Sequence, residues 1–297
     1  MRSNDARPAE LARLAERYVA LAFEPRRLSG AKVDLYRLAQ SRNIHTVELK
    51  PLLADGYLVV DDKGFSVHLH DERPSVTVIG EASEYRTLNV KQRFTFAHEI
   101  AHTMTYDLSH ETPQPKKSMM DVITGAGGRD AESSLEAFCQ IVAGLILLPI
   151  SGLRQEEVLG RFGTVDSVAT VLRIARLFEV SPEVVMHRVT ASGDSDALKP
   201  PYLLTLLVRK SDKHDIIRAY IYTPTLKGIA RQPTLYSRMR TWVMRTPVLK
   251  DSGILDANVG EWSRSIHGGV VHTAKKPYGR GNDAYFVEMK YNPQPAM

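Results

Sequence analysis

The sequence predicts an α+β fold, and three of its features support this. Apolar residues recur at helical spacing in several long segments, and short alternating segments bounded by polar or Gly/Pro turns indicate strands. The chain has 297 residues, of which 43% are hydrophobic and 25% charged, and these proportions suit a globular protein with at least one sizeable core. An intrinsically disordered or fibrous protein is therefore excluded.

The charge distribution predicts two domains, at residues 1–195 and 200–297. Residues 1–199 carry a net charge of −3, whereas residues 200–297 carry +8. The segment ASGDSDALKPP between them is typical of a linker. The predicted C-terminal domain is thus basic and suited to an anionic partner.

Neither membrane insertion nor secretion is predicted. No apolar run approaches the roughly 18 residues that a membrane helix needs, and MRSNDARPAE does not resemble a signal peptide. The expected location is cytoplasmic, with no membrane partner. One cysteine, Cys139, excludes an intramolecular disulfide and a cysteine-based zinc cage. A metal site would therefore need histidine and carboxylate ligands.

The N-terminal part begins with two predicted helices, over residues 8–23 and 33–44. Four strand-like segments follow, HTVELK, GYLVVDD, FSVHLH and SVTVIG, which predict a small antiparallel sheet. His68 and His70 share a strand face and are weak candidates for metal ligands. Ordinary alternation on a half-exposed strand produces the same pattern and is favoured.

A second helical region starts after Asn89. The predicted helix 90–108 has a buried stripe formed by Phe94, Ala97, Ile100, Ala101 and Met104. Residues 109–130, which contain several Gly and Pro, are expected to form a long loop, either disordered or acting as a lid. The next predicted helix starts at residue 131 and ends at Pro149.

A pair of helices is predicted over residues 164–189, with Ser181 as N-cap and Pro182 in the first helical position. This outline resembles a helix-turn-helix, but the segment around it is slightly acidic, which favours a packing role over DNA binding.

Beyond residue 200 the sequence predicts mainly strands, with a further helix at LYSRMRTWVMR. Basic and aromatic residues alternate in this last segment, as they do where bases stack on rings and arginines neutralise phosphates. Single-stranded DNA is therefore a candidate ligand of the basic domain, although an ordinary amphipathic helix with solvated arginines is the favoured explanation.

The strongest chemical signal is H-E-x-x-H, formed by His98, Glu99 and His102 within a predicted helix. Residues four apart share a helix face, so both imidazoles can reach one zinc ion, with Glu99 beside them as general base. Ten His and seventeen Glu predict about 0.02 chance occurrences of this pattern in a chain of this length. A metal site is therefore the preferred interpretation.

A third protein ligand is needed, and a carboxylate on the helix from residue 131 is the best candidate. Glu132 and Glu136 both qualify on residue chemistry. Glu136 is favoured because it lies beside the apolar part of the helix, where its charge needs a partner.

The run RFTFAHEIAH, followed by Glu136 to Pro149 in the pattern E-x-x-C-x-x-x-A-G-x-x-L-x-P, resembles the ImmA/IrrE family of metallopeptidases. The resemblance spans about Val33 to Val189. It implies that Glu136 is the third ligand and that the fold is a zincin-like helical metallopeptidase domain with a small antiparallel sheet. Gln140 stands where the family usually has Asn or Asp, and Val142 where it usually has an aromatic residue.

The resemblance also implies a function. Members of the family cleave helix-turn-helix transcriptional repressors, often in DNA-damage, mobile-element or antiphage responses, and several carry a C-terminal α/β domain similar to GAF sensors. The basic domain at 200–297 is expected to be such a GAF-like sensor. By analogy, the resemblance extends to the peptidases that accompany antiphage (CBASS-type) signalling operons.

The expected chemistry is metal-assisted peptide hydrolysis with Zn²⁺, although Mn²⁺ or another divalent ion suits the same ligands. Glu99 is the expected base, and Tyr106 or His110 is the expected donor to the tetrahedral oxyanion. Two alternatives remain. One is a non-catalytic DNA-binding transcriptional regulator with a structural metal site, and the other is an aminopeptidase, for which no amine-binding carboxylate is evident.

Overall fold

The computed structural model describes residues 7–23, 33–79, 87–127, 130–149, 167–191, 202–210, 216–222, 260–266, 269–277 and 282–290. Within these ranges the fold is a mixture of helices and small sheets, which confirms the predicted α+β class. Contacts divide the chain into two compact units, residues 1–156 with 175–185, and residues 157–174 with 186–297. None of the helices in these ranges is long and apolar enough to cross a bilayer.

The first part of the chain alternates short helices and strands. Its described helices are α1 (Arg7–Ala22), α2 (Leu35–Gln40), α3 (Val90–Thr103), α4 (Lys117–Gly127) and α5 (Ala131–Leu147). Its strands are β1 (Ile44–Lys50), β2 (Gly56–Asp61), β3 (Gly64–His70), β4 (Val76–Ile79), β5 (Tyr106–Asp107) and β6 (Gln114–Pro115). The four longer strands lie where their alternating patterns predict them.

These four strands form a mixed sheet in the order β2-β3-β1-β4, so the prediction of an antiparallel sheet was wrong in one pairing. β2 and β3 form an antiparallel hairpin, and β4 is antiparallel to β1. β1 and β3 are parallel because β3, not β2, lies beside β1. Strand β2 is thereby moved to the sheet edge, a placement that apolar alternation does not reveal.

One face of this sheet supplies much of the core. Val47 and Leu49 of β1 and Phe65, Val67 and Leu69 of β3 are fully buried. Each such side chain stabilises the fold by about 1.5–3 kcal/mol relative to exposure. Helix α3 packs against β2 and β3, so this core fixes the helix relative to the edge strand.

The two histidines of β3 make structural contacts within and beside the sheet. His68 Nδ1 lies 3.0 Å from a carboxylate oxygen of Glu48, and His70 Nδ1 accepts a 3.0 Å hydrogen bond from the Leu52 backbone N–H. Neither belongs to the group of described residues that could hold a metal ion. The favoured explanation from the sequence, ordinary strand alternation, agrees with these contacts.

Side-chain hydrogen bonds stabilise both ends of helix α3. Asn89 and Gln92 form a reciprocal capping box, which satisfies two backbone N–H groups at the start of the helix. At the other end, the Arg42 guanidinium donates to the hydroxyl (3.2 Å) and to the carbonyl (2.8 Å) of Thr103. A cation at a helix C-terminus is stabilising, so Arg42 helps to hold the turn that carries His102.

The buried face of α3 differs from the predicted stripe at its first position. Ala97, Ile100 and Ala101 are fully buried as predicted, but the buried aromatic residue is Phe96 and not Phe94. Phe94 lies on the side of the helix that lines the cleft described below. The helix also ends at Thr103, so Tyr106 lies in the following strand.

The prediction of a long loop at 109–130 was wrong, because residues 117–127 form helix α4. Met119, Ile123 and Ala126 are buried on one side of α4, which packs on α5. This short apolar stripe is difficult to recognise in the sequence, because Gly125 and Gly127 lie near its end and prolines precede it. The true loop is shorter and lies between β5 and β6, which pair with each other.

Helix α5 is central to the first unit, in agreement with its apolar sequence. Asp130 caps its start by accepting a 2.8 Å hydrogen bond from the Ser133 backbone N–H. Phe138, Cys139 and Val142 are fully buried, and α5 packs on α3, α4 and α1. Glu136 lies on the exposed side of this otherwise buried helix.

The predicted helix pair is present as α6 (Ser167–Phe178) and α7 (Pro182–Ala191). Ser181 caps α7, as its backbone carbonyl and side chain accept from the Val184 N–H. Glu179 in the turn has φ +52°, and its carboxylate lies 3.7 Å from Arg93 Nε of α3. The turn is therefore tied to the helix that carries His98.

The second unit contains a five-stranded antiparallel sheet. Its strands are β7 (Tyr202–Lys210), β8 (Ile216–Tyr222), β9 (Gly260–Ile266), β10 (Gly269–Pro277) and β11 (Asn282–Lys290), in the order β8-β7-β11-β10-β9. Four of these match strand-like segments of the sequence, and β9 was not predicted. The predicted helix at 235–245 lies outside the described residues.

A buried carboxylate connects the sheet to the start of α3. Asp71, only 5% exposed, accepts hydrogen bonds from Arg73 Nε (2.8 Å) and Nη2 (2.6 Å) and from Gln92 Nε2 (3.3 Å). Gln92 also donates to the His70 carbonyl at 2.9 Å. The hydrogen bonds from Arg73 hold the pKa of Asp71 well below its usual range.

We expect Asp71→Asn to lower the free energy of unfolding by about 1–3 kcal/mol at neutral pH, because Arg73 and Gln92 lose a charged acceptor. A carboxyl whose folded pKa is depressed stabilises the fold above its unfolded pKa of about 3.9, and this contribution is lost as the pH falls through the folded pKa. The difference between parent and variant should therefore shrink below about pH 4. Urea unfolding across this pH range measures it.

The matched control is Asp55→Asn, which removes an ion pair between the exposed side chains of Asp55 and Lys91. Exposed pairs contribute about 0–1 kcal/mol, so this variant should unfold almost as the parent does. Equal losses in both variants, or a loss at Asp71 that persists unchanged at about pH 3, would contradict the assignment of the effect to the buried carboxylate.

Candidate metal centre

Three potential metal ligands meet where α3 packs on α5. His98 and His102 are one turn apart on α3, and Glu136 comes from α5. The two Nε2 atoms lie 3.1 Å apart, and the Glu136 carboxylate oxygens lie 3.2 Å from His98 Nε2 and 3.3 Å from His102 Nε2. Among the described residues, these three side chains form a group that could hold a metal ion.

The spacing of these atoms fits a single ion. A tetrahedral zinc site with bonds of about 2.0–2.1 Å has neighbouring ligand atoms about 3.3 Å apart, close to all three measured separations. Two imidazole nitrogens facing each other cannot both donate, whereas a shared cation accepts both lone pairs. The Glu136 side chain is 48% exposed, so the group is accessible from solvent.

Both imidazoles are held in the neutral form that metal binding requires. Burial, followed by the charge of His98, lowers the pKa of His102 to about 4. Burial also lowers the pKa of His98, against the opposing effect of the Glu136 carboxylate. Cys139 is close by on α5, but burial raises the pKa of its thiol well above the usual value, which keeps the sulfur protonated. The available donors are therefore two neutral imidazoles and one carboxylate.

Glu99 lies beside this group in a buried position and faces the cleft described next. Only 7% of the residue is exposed. Burial, and secondly the negative charge of Glu136, raises the pKa of Glu99 to about 7. A carboxyl group with such a pKa can accept and release a proton near neutral pH. A cation held by the neighbouring ligands would favour its ionised form.

The metal group opens into a cleft of about 540 Å³. This volume is in the range of about 300–1,000 Å³ that ligand sites usually have. One wall is α3, which contributes Phe94, Thr95 and Glu99, and a second wall is α5, which contributes Leu135 and Gln140. The third wall is formed by the edge strand β2, through Gly56, Tyr57, Leu58 and Val60, and by Asp55 just before it.

The backbone of β2 runs along this cleft. β2 is the end strand of its sheet, and no described strand pairs with its outer side. The His70 N–H donates to the Asp55 carbonyl at 2.9 Å, so the odd-numbered residues of β2 bond to β3. By the two-residue alternation of antiparallel pairs, Gly56, Leu58 and Val60 direct their N–H and C=O groups outward.

A glycine permits the close approach of β2 to α3. A Cβ atom at Gly56 would lie 2.6 Å from Thr95 Cγ2 and 2.9 Å from the carbonyl oxygen of His68. Both distances are too short for real contacts, so a side chain here would push the strand away from the helix. The absence of a side chain at Gly56 therefore permits the close packing of β2 on α3 beside the cleft.

The two oxyanion candidates lie in different places. Tyr106 lines the cleft from β5, and its ring packs edge-on against Phe65 with centroids 5.3 Å apart. His110 lies in the exposed loop between β5 and β6 and is not among the residues that line the cleft. The geometry thus favours Tyr106 as a donor to a substrate in the cleft.

Glu132, the alternative third ligand, is exposed one turn before Glu136 and lies outside the ligand group. The cleft residues of β2 were not predicted from the sequence, and neither was Thr105, which also lines the cleft. A signal was present in Gly56, an isolated glycine at the start of an alternating strand, because such glycines often mark a close backbone approach.

One comparison with known proteins, the match to a family model, covers the helices that carry the site. A family model described as the IrrE N-terminal-like domain, which defines a peptidase family, matches residues 40–190 and so covers both α3 and α5. No curated protein matches the sequence. A solved structure of a Mycobacterium tuberculosis transcriptional regulator is similar at a TM-score of 0.49 and 14% identity, over 94% of this chain and 76% of that chain.

Proposed function

The chain belongs to the peptidase family of the IrrE N-terminal-like domain, and on this premise we propose that it is a metal-dependent endopeptidase that cleaves a helix-turn-helix transcriptional repressor. The observation that carries the proposal is the convergence of His98, His102 and Glu136 around one point, with Glu99 beside them. Zinc is the proposed ion, since two imidazoles and a carboxylate are typical ligands of catalytic zinc.

A divalent ion in this group would polarise the scissile carbonyl and make a water molecule acidic. Glu99 would take the proton of the attacking water on a carboxylate oxygen and then pass it to the leaving amine. The Tyr106 hydroxyl would donate a hydrogen bond to the oxygen of the tetrahedral intermediate. His110 could do this only from an exposed loop, and we therefore assign the role to Tyr106.

The shape of the cleft supports cleavage within a chain. The outward-facing backbone groups of Gly56, Leu58 and Val60 could pair with an extended polypeptide lying along β2. An aminopeptidase would instead need a carboxylate to hold a free amine. Asp55 lines the cleft, and its carboxylate is paired with Lys91 at 2.5 Å.

The proposed substrate and trigger rest on the family resemblance and on charge. Members of this family cleave repressors to switch on stress or antiphage defence genes, and we propose the same role here, in the cytoplasm. The net charge of +8 over residues 200–297 supports binding of an anionic activator by a GAF-like sensor domain. Single-stranded DNA released by DNA damage is the proposed activator.

The test is incubation of the zinc-loaded protein with the helix-turn-helix repressor encoded beside it, with and without short single-stranded DNA, followed by intact mass analysis. We expect one specific cut by the parent, faster with DNA, and none by Glu99→Gln. Cleavage that DNA does not accelerate would remove the trigger but keep the peptidase. Absence of cleavage under Zn²⁺ and Mn²⁺ alike, with DNA binding retained, would favour the alternative of a DNA-binding regulator.

A further inference from the structure

The outer face of the edge strand carries apolar side chains next to the cleft. Tyr57 is 40% exposed and Val59 is 38% exposed. Both belong to the odd-numbered set of β2, whose side chains point to the sheet face opposite the buried core of Leu69, Val67 and Phe65. An edge strand with exposed apolar residues, whose outer backbone edge is paired with no described strand, favours pairing with another chain.

Tyr57 is held in place by a row of polar contacts across the sheet. Its ring lies 4.8 Å from the ring of His68, the residue paired with it on β3. His68 Nδ1 is 3.0 Å from Glu48, and the same carboxylate oxygen accepts a 2.7 Å hydrogen bond from Lys50. An aromatic side chain braced in this way loses little conformational freedom when it contacts a ligand.

The hydrogen-bond pattern of β2 makes this face suitable for recognising side chains. The backbone groups of Tyr57 and Val59 form hydrogen bonds with β3. If an antiparallel strand were added at the outer edge of β2, Tyr57 and Val59 would therefore occupy the non-hydrogen-bonded positions of the new strand pair. Side chains are closest at these positions, with Cα atoms about 4.5 Å apart. Aromatic and β-branched pairs there are stabilising. Two residues of the added strand that are two positions apart in its sequence would therefore lie opposite Tyr57 and Val59.

We propose that Tyr57 and Val59 form a specificity site that binds two apolar side chains, two residues apart, of an extended substrate segment lying along β2. This inference rests on the proposed peptidase function, because it assigns the cleft a polypeptide as its occupant. The metal ligands and Glu99 face the other side of such a segment. Residues between the two apolar side chains would point toward the cleft.

Binding to full-length, zinc-loaded Glu99→Gln tests this without cleavage. The probes are two fluorescent peptides of equal composition, one in which valine alternates with serine and one in which the valines are adjacent in pairs. We expect tighter binding of the alternating peptide. Tyr57→Thr and Val59→Thr, which keep strand propensity, should each reduce this preference by about 1.5- to 5-fold.

Leu21→Thr is the control, because Leu21 is a 73% exposed apolar residue on α1 and does not line the cleft. It should leave the preference unchanged, and Tyr57→Phe should keep it because the ring remains. The inference would be overturned if the Glu99→Gln protein and both of its threonine variants preferred the alternating peptide to the same degree, with unchanged circular dichroism. If the repressor is nevertheless cut by the active protein, the proposed function stands without this specificity site.

Discussion

Glu99→Gln is expected to lower kcat/KM for peptide hydrolysis by about 10²–10⁴-fold, the usual contribution of a general base. Glutamine has nearly the same shape as glutamate and fits the same buried position, but it cannot take a proton from water. Because Glu99 is not one of the three converging ligands, the variant should keep its bound metal. Steady-state kinetics together with the metal content of the purified protein measure both effects.

Glu111→Gln provides the matched control for charge. Glu111 is exposed in the loop between β5 and β6, outside the cleft, so the same chemical change there should leave kcat/KM within about twofold. If Glu99→Gln also retained activity to that degree, Glu99 would not be the base. A parallel loss of metal would instead indicate that Glu99 supports the ligands.

The helical part of the site could be predicted because its information is local. The four-residue spacing of His98 and His102 places both imidazoles on one face of any helix, whatever surrounds it. The start of the helix after Asn89 is local in the same way, and the structure places it there with Asn89 and Gln92 as a capping box. Neither the spacing of the histidines nor this helix start depends on distant parts of the chain.

The remaining parts depend on contacts between distant segments, which spacing does not determine. Residue chemistry left Glu132 as an alternative to Glu136, because the choice depends on where α5 crosses α3. The edge position of β2 follows from β3 pairing with β1, so the third wall of the cleft was not foreseen. Helix α4 was missed because its few buried residues, such as Met119 and Ile123, lie among helix-breaking glycines and prolines.

A comparison of Glu136→Ala with Glu132→Ala should show which of these two glutamates of α5 is the metal ligand. We expect Glu136→Ala to weaken metal binding by more than about 100-fold, since loss of even an outer-shell partner of a metal ligand typically costs 10–100-fold. Two imidazoles alone would leave the ion held mainly by water. Hydrolysis should fall in parallel, because the polarising charge leaves the cleft.

Glu132→Ala changes the same residue type one turn earlier, on an exposed part of α5, and it should leave metal affinity and activity nearly unchanged. Competition with a chromogenic chelator measures the affinities, and thermal unfolding with and without metal provides an independent readout, since an ion bound only by the folded state raises its stability. Equal affinities in the two variants would mean that the 3.2–3.3 Å contacts of Glu136 with the imidazoles are ordinary ion pairs, and that the third ligand lies elsewhere. An affinity lost only in Glu136→Ala would tie the metal to the junction of α3 and α5, the one place where the chain brings two neutral imidazoles and a solvent-accessible carboxylate together among its described residues.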